Sequence, residues 1–144
     1  MNVQQQIDAG RALIASLPNV IDSALIGSAM YLPNPADIDF LVLIEDNAMN
    51  RAKDMEGDGW GKCGEYDSEE GVWCAIRRKE VNLILTHDPG RFARFKTSME
   101  VCKALHLEHK EDRIAVCQIV RDGKTADEVI THAQIKATVD ELFG

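Results

Sequence analysis

The sequence predicts an α/β fold of the α+β kind: a small mixed β-sheet with helices packed on it and a helical C-terminal region from about residue 88. Three observations predict it. Val3, Ile7, Gly10, Ile14 and Leu17 recur at spacings of three and four, as on one face of a helix. Ile38 to Ile44 is almost wholly apolar, the composition of a strand covered on both faces. Val72 to Arg77 and Val81 to Thr86 are two apolar runs only a few residues apart, as in an antiparallel hairpin. A chain of 144 residues, 45% of them hydrophobic, carries apolar surface enough for one core, so residues 1–144 are read as a single domain.

The first helix ends at Pro18-Asn19, and the apolar stretch from Val20 to Ile26 is a strand that breaks at Gly27-Ser28. Pro33 and Pro35 make Tyr31 to Pro35 a loop, because each removes a donor and disfavours helix in the residue before it. After the buried strand the chain turns polar, and Ala48, Ala52 and Met55 place a short surface helix. Five glycines between Gly57 and Gly71 leave the next stretch unassigned, with a short strand around Trp60 to Tyr66 as one option. The hairpin turn lacks an Asn-Gly signal. Asp88 caps a helix with Pro89 at its first position, and Phe92, Phe95, Met99, Cys102 and Leu105 form its stripe. A further helix carries Ile114, Cys117 and Val120 and stops at Asp122-Gly123, and a capping box at Thr125 to Glu128 opens a last one towards Leu142.

No apolar run approaches the roughly 20 residues that span a bilayer, and the N-terminus lacks the blocks of a signal peptide, so a cytoplasmic protein is expected. Cys63, Cys74, Cys102 and Cys117 are widely spaced and are read as free, mostly buried thiols. A net charge of −8 argues against a long nucleic-acid partner, which would need several Lys and Arg on its phosphates. A small anion carried with a divalent cation remains compatible with that charge.

The chemistry concentrates in Leu25-Ile26-Gly27-Ser28, eight intervening residues, and Asp37-Ile38-Asp39-Phe40. If Asp37 opens the strand, Asp37 and Asp39 project from one face of it, about 7 Å apart at their Cβ atoms. Such a pair can flank a divalent cation, and paired metals serve phosphoryl chemistry. Gly27 lets the backbone approach a ligand closely, and Ser28 offers a hydroxyl and an amide to phosphate oxygens. Each half alone is commonplace, an ordinary turn or a solvated strand end. Together, with an apolar strand before each, they are much rarer.

This pattern resembles the signature of the nucleotidyltransferase superfamily, in which a hydrophobic strand runs into Gly-Gly or Gly-Ser and the next carries Asp-hydrophobic-Asp-hydrophobic. The similarity is close over Val20 to Ile44 and looser to Val120. The whole chain looks like small nucleotidyltransferase-like proteins of tailed bacteriophages, which would place it in the host cytoplasm. The resemblance implies a mixed sheet of the nucleotidyltransferase type. It also implies Asp37 and Asp39 as ligands of Mg²⁺ or Mn²⁺, and Gly27 and Ser28 on a nucleoside triphosphate such as ATP. The reaction implied is transfer of a nucleoside monophosphate to an acceptor hydroxyl on a small molecule or protein.

The sequence departs from the family in one place. A third acidic residue is expected on a later strand, and Val81-Asn82-Leu83 puts Asn82 there. An amide can offer an oxygen to a hard cation but cannot accept a proton from an attacking hydroxyl. Three readings stand: Glu80 supplies the missing carboxylate, Asn82 is a weaker ligand in a slower enzyme, or the chain binds a nucleotide or a partner protein without catalysis. Among other basic residues, Arg77, in the run Arg77-Arg78-Lys79, and Arg91, near Arg94 and Lys96, are candidate phosphate contacts, against the commoner reading as solvated surface. His106 and His109 lack a third ligand and read as surface, while Trp60 and Trp73 are candidates to stack on a base, Trp73 being more naturally core.

Overall fold

The computed structural model describes residues 2–35, 37–57, 59–68, 71–123, 128 and 141–143, with the backbone alone at 65–68, 71–73 and 110. The first helix, α1 (Val3–Ala15), starts with a capping box in which Asn2 and Gln5 exchange hydrogen bonds, and it buries Ile7, Gly10 and Ile14. Strand β1 (Val20–Ile26) follows, then a 3₁₀ turn over Gly27–Met30. Strand β2 (Ile38–Ile44) and helix α2 (Ala48–Met55) come next. Strands β3 (Gly64–Ser68), β4 (Gly71–Arg78) and β5 (Val81–Thr86) complete the sheet. Helices α3 (Pro89–Leu105) and α4 (Lys110–Arg121) follow it.

The five strands are ordered β1-β2-β5-β4-β3. β2 and β5 run parallel, and every other neighbouring pair is antiparallel, so the sheet is mixed as expected. Alternation along β2 divides the core in two. Ile38, Phe40, Val42 and Ile44 point to one face, where they pack with Ile7 and Ile14 of α1 and Ala48 and Ala52 of α2. Leu41 and Leu43 point to the other, towards Phe92, Phe95, Met99 and Cys102 of α3 and Val116 and Cys117 of α4. β2 is therefore buried on both faces, which is why its sequence reads as an unbroken apolar run. Gly10 has a steric role: a Cβ there would lie 2.4 Å from Cε2 of Phe40, so α1 sits on β2 only because position 10 has no side chain.

Three local outcomes refine the sequence reading. The β4–β5 hairpin closes through Lys79-Glu80, with Lys79 at φ 55, so a left-handed residue makes the turn without an Asn-Gly pair. The glycine-rich stretch contains β3, paired with β4, and an isolated bridge between Gly57 and Trp60. The capping box at Thr125 and the helix expected after it fall outside the described residues, except for 128 and 141–143, as does the side chain of Trp73. All four cysteines are free, with Cys102 and Cys117 buried, and burial pushes the Cys102 thiol up to about 12. Among the described residues no helix is long and apolar enough to cross a membrane.

Candidate functional site

β1 ends at Ile26, and Gly27 turns the chain at φ 72, a left-handed conformation that glycine adopts without a steric penalty. The turn that follows is tight: Tyr31 N and Leu32 N both donate to the Ser28 carbonyl, at 3.2 and 2.8 Å. Pro33 and Pro35 then carry the chain round to Asp37. β2 is anchored at its start by Ile38 N donating to Glu80 O at 3.0 Å, so Asp37 precedes the strand and does not open it.

Register builds the site. Asp39 lies opposite Ile26 on β1 and opposite Asn82 on β5, and Asn82 lies opposite Arg77 on β4. A row of residues thus crosses four strands at one level, with Gly27 at its β1 end. The neighbours Phe40, Leu83 and Ile76 all face α1 and α2, so by alternation Asp39, Asn82 and Arg77 share the opposite face, that of α3 and α4. A Cβ on Gly27 would come 3.2 Å from Asp39 Oδ2, so the glycine bend lies beside the carboxylate and leaves little room for a side chain between them.

The two carboxylates differ in environment. Burial pushes the Asp39 carboxyl up, the Asn82 side chain opposes this by hydrogen bonding to it, and the negative charge of Asp37 adds to the rise. Asp37 is held below the usual carboxylate range by Arg77, whose Nη1 lies 2.8 Å from Asp37 Oδ1. The charge of Arg77 acts on Asp39 as well. The structure therefore brings together Gly27, Asp37, Asp39, Asn82 and Arg77, with Ser28 next in the chain.

Arg91 is not among the groups whose charge bears on Asp37 or Asp39. From Asn82 to Thr86 the parallel strand β5 travels roughly 13 Å at about 3.3 Å per residue, and α3 starts beyond that far end. Arg91, like Arg94 and Lys96, lies in the first half of α3. Glu80 does not supply a third carboxylate either; it sits exposed in the hairpin turn and lines, with Arg78 and Lys79, a cavity of about 370 Å³ against α1. Trp60 packs at the edge of the core on the α1 and α2 side, with the Arg78 guanidinium 5.9 Å from its ring centre. His106 ends α3 in a left-handed conformation and His109 caps α4, so the two share no helix face.

One contact to this region has no local sequence signal. The Tyr31 hydroxyl donates to the Leu107 carbonyl, its ring packs against His106 at 5.2 Å, and it hydrogen bonds with Arg113. Arg113 Nη1 also donates to the carbonyls of Leu107 and Glu108. The loop after Gly27-Ser28 is thereby tied to the α3–α4 turn, across a separation of 76 residues.

The metal-ligating atoms on offer at the site are oxygens: the carboxylates of Asp37 and Asp39 and the amide oxygen of Asn82. Among the described residues no three His, Cys, Asp or Glu cluster as a metal cage. Two carboxylates fit Mg²⁺ or Mn²⁺ that arrives with phosphates, because Mg²⁺ keeps several waters and needs only one or two protein carboxylates. The negative charge of Asp37 beside Asp39 is the condition such a cation relieves. Comparison with protein-family models, with curated proteins and with solved structures finds no match to this chain.

Proposed function

We propose that the chain is a metal-dependent nucleotidyltransferase that moves a nucleoside monophosphate from a nucleoside triphosphate to an acceptor hydroxyl. The observation that carries this reading is the closeness of the Gly27 bend to Asp39, with Asp37 and Arg77 beside it. A glycine-serine bend against a carboxylate pair can hold phosphate and cation together, as the superfamily resemblance implies. Gly27 gives backbone access, Ser28 offers its hydroxyl and amide, and Arg77 offers a guanidinium suited to phosphate oxygens. Bound there, Mg²⁺ or Mn²⁺ would supply neutralisation of the leaving pyrophosphate and activation of the acceptor oxygen.

Incubation with labelled nucleoside triphosphates and Mg²⁺ or Mn²⁺, alongside Asp39→Asn, tests the proposal. Metal-dependent labelled product or pyrophosphate release that Asp39→Asn loses supports it, and no difference between the two proteins counts against it. The acceptor class is a small molecule or a protein, since the charge of −8 disfavours long nucleic acid.

A second reading is favoured by Asn82. It occupies the register position opposite Asp39 and spends a hydrogen bond on it, where catalysis would call for a group able to take a proton. On this reading the fold binds a nucleotide or a partner protein with catalysis weakened or lost. Asn82→Asp separates the two readings: activity that appears only in the variant favours the second.

A further inference from the structure

Arg77 already engages one of the two carboxylates. Its Nη1 hydrogen bonds to one oxygen of Asp37, and its charge also bears on Asp39, because the β4–β5 register holds Arg77 and Asn82 side by side and Asn82 beside Asp39. A guanidinium and a divalent cation at one carboxylate pair repel each other, so Arg77 must yield before Asp37 can serve a metal. Yielding is easy. The Arg77 and Asp37 side chains are 46% and 43% exposed, and ion pairs this open contribute little to stability. A guanidinium released there has a natural destination in a polyphosphate, whose oxygens it can bind in bidentate fashion.

We infer that Arg77 is an exchangeable counter-ion that couples the two halves of the ligand: it pairs with Asp37 in the metal-free protein and transfers to the polyphosphate when a divalent cation takes its place. This rests on the reading of Asp37 and Asp39 as metal-binding carboxylates. It adds a sign to that reading: Arg77 opposes the bare cation and favours the cation carried by polyphosphate. Coupling of this kind is reciprocal, so each component raises the affinity for the other.

The test is calorimetric titration of the full chain with two probes, Mn²⁺ alone and preformed Mn²⁺-triphosphate, for the parent, Arg77→Gln and Arg77→Lys. Arg77→Gln is expected to bind Mn²⁺ alone about three- to tenfold more tightly, having lost a nearby positive charge. The same variant is expected to bind Mn²⁺-triphosphate about tenfold more weakly, having lost a charge-assisted contact. Arg77→Lys keeps the charge and is expected to match the parent for Mn²⁺ alone while remaining weaker than the parent for the complex. A merely structural role would move both affinities in one direction. Unchanged or weaker binding of Mn²⁺ alone by Arg77→Gln overturns the inference. If Mn²⁺-triphosphate still binds the parent and is lost in Asp39→Asn, the metal-site reading survives that result. If no protein binds either probe, both fall together.

Discussion

Asn82 stands opposite Asp39 across the parallel pair β2 and β5, and its side chain hydrogen bonds to the Asp39 carboxylate. An uncharged partner steadies a half-buried anion without adding charge. A carboxylate in its place would set two like charges side by side.

Asn82→Asp is therefore expected to destabilise the metal-free protein by about 1–3 kcal/mol, since one carboxylate must stay protonated or both must repel. Mn²⁺ is expected to restore that loss, and its affinity to rise at least tenfold over the parent. Urea denaturation with and without Mn²⁺ checks both. A variant as stable as the parent and indifferent to Mn²⁺ would show that position 82 does not face the site.

Asp39 and Asp37 should respond to pH in opposite senses. Folding raises the Asp39 carboxyl above its ordinary value of 3.8, so its support for the fold is complete below that value and is lost as pH rises through the raised one. Asp39→Asn removes this penalty. Its melting temperature at pH 7 is expected to exceed the parent's by a few degrees, the gain closing towards pH 3. Arg77 lowers Asp37, so Asp37 supports the fold above its ordinary value of 3.8 and loses that support as pH falls. With both partners nearly half exposed, Asp37→Asn is expected to change stability by less than about 1 kcal/mol. Thermal melts across pH 3 to 8 decide both.

Gly27→Ala meets two obstacles at once. The residue sits at φ 72, and the new Cβ would lie 3.2 Å from Asp39 Oδ2. The backbone strain alone is expected to cost about 1 kcal/mol, with Mn²⁺ binding weakened because the Asp39 carboxylate is displaced. A variant with parental stability and parental Mn²⁺ affinity would contradict that closeness.

Gly10→Ala tests the core in the same way, on the face of β2 opposite the chemistry. Its Cβ would fall 2.4 Å from Phe40 Cε2, and overpacking of this kind typically costs about 1–3 kcal/mol. Adding Phe40→Leu is expected to cost less in the Gly10→Ala background than in the parent. A double-mutant cycle in urea measures that coupling.

What the sequence disclosed follows from where each signal lives. Periodicity is local, so α1, β2 and the Phe92, Phe95, Met99, Cys102 stripe of α3 were legible, as were the Asp88 cap and the Gly123 stop. β3 was obscured because glycines interrupt its pattern, and the hairpin turn because Lys79, not glycine or asparagine, takes the left-handed conformation. The pairing of Asp37 with Arg77 spans 40 residues and depends on register, which no local pattern encodes.

On the proposed function, Asp37, Asp39 and the Gly27-Ser28 bend hold a divalent cation together with a triphosphate. A crystal structure with Mn²⁺ and a non-hydrolysable nucleoside triphosphate, phased to reveal the manganese, tests it directly. Manganese is expected at about 2.1 Å from oxygens of both aspartates, with phosphate oxygens on the Gly27 and Ser28 amides. Manganese bound elsewhere, or a triphosphate seated away from that bend, would contradict it.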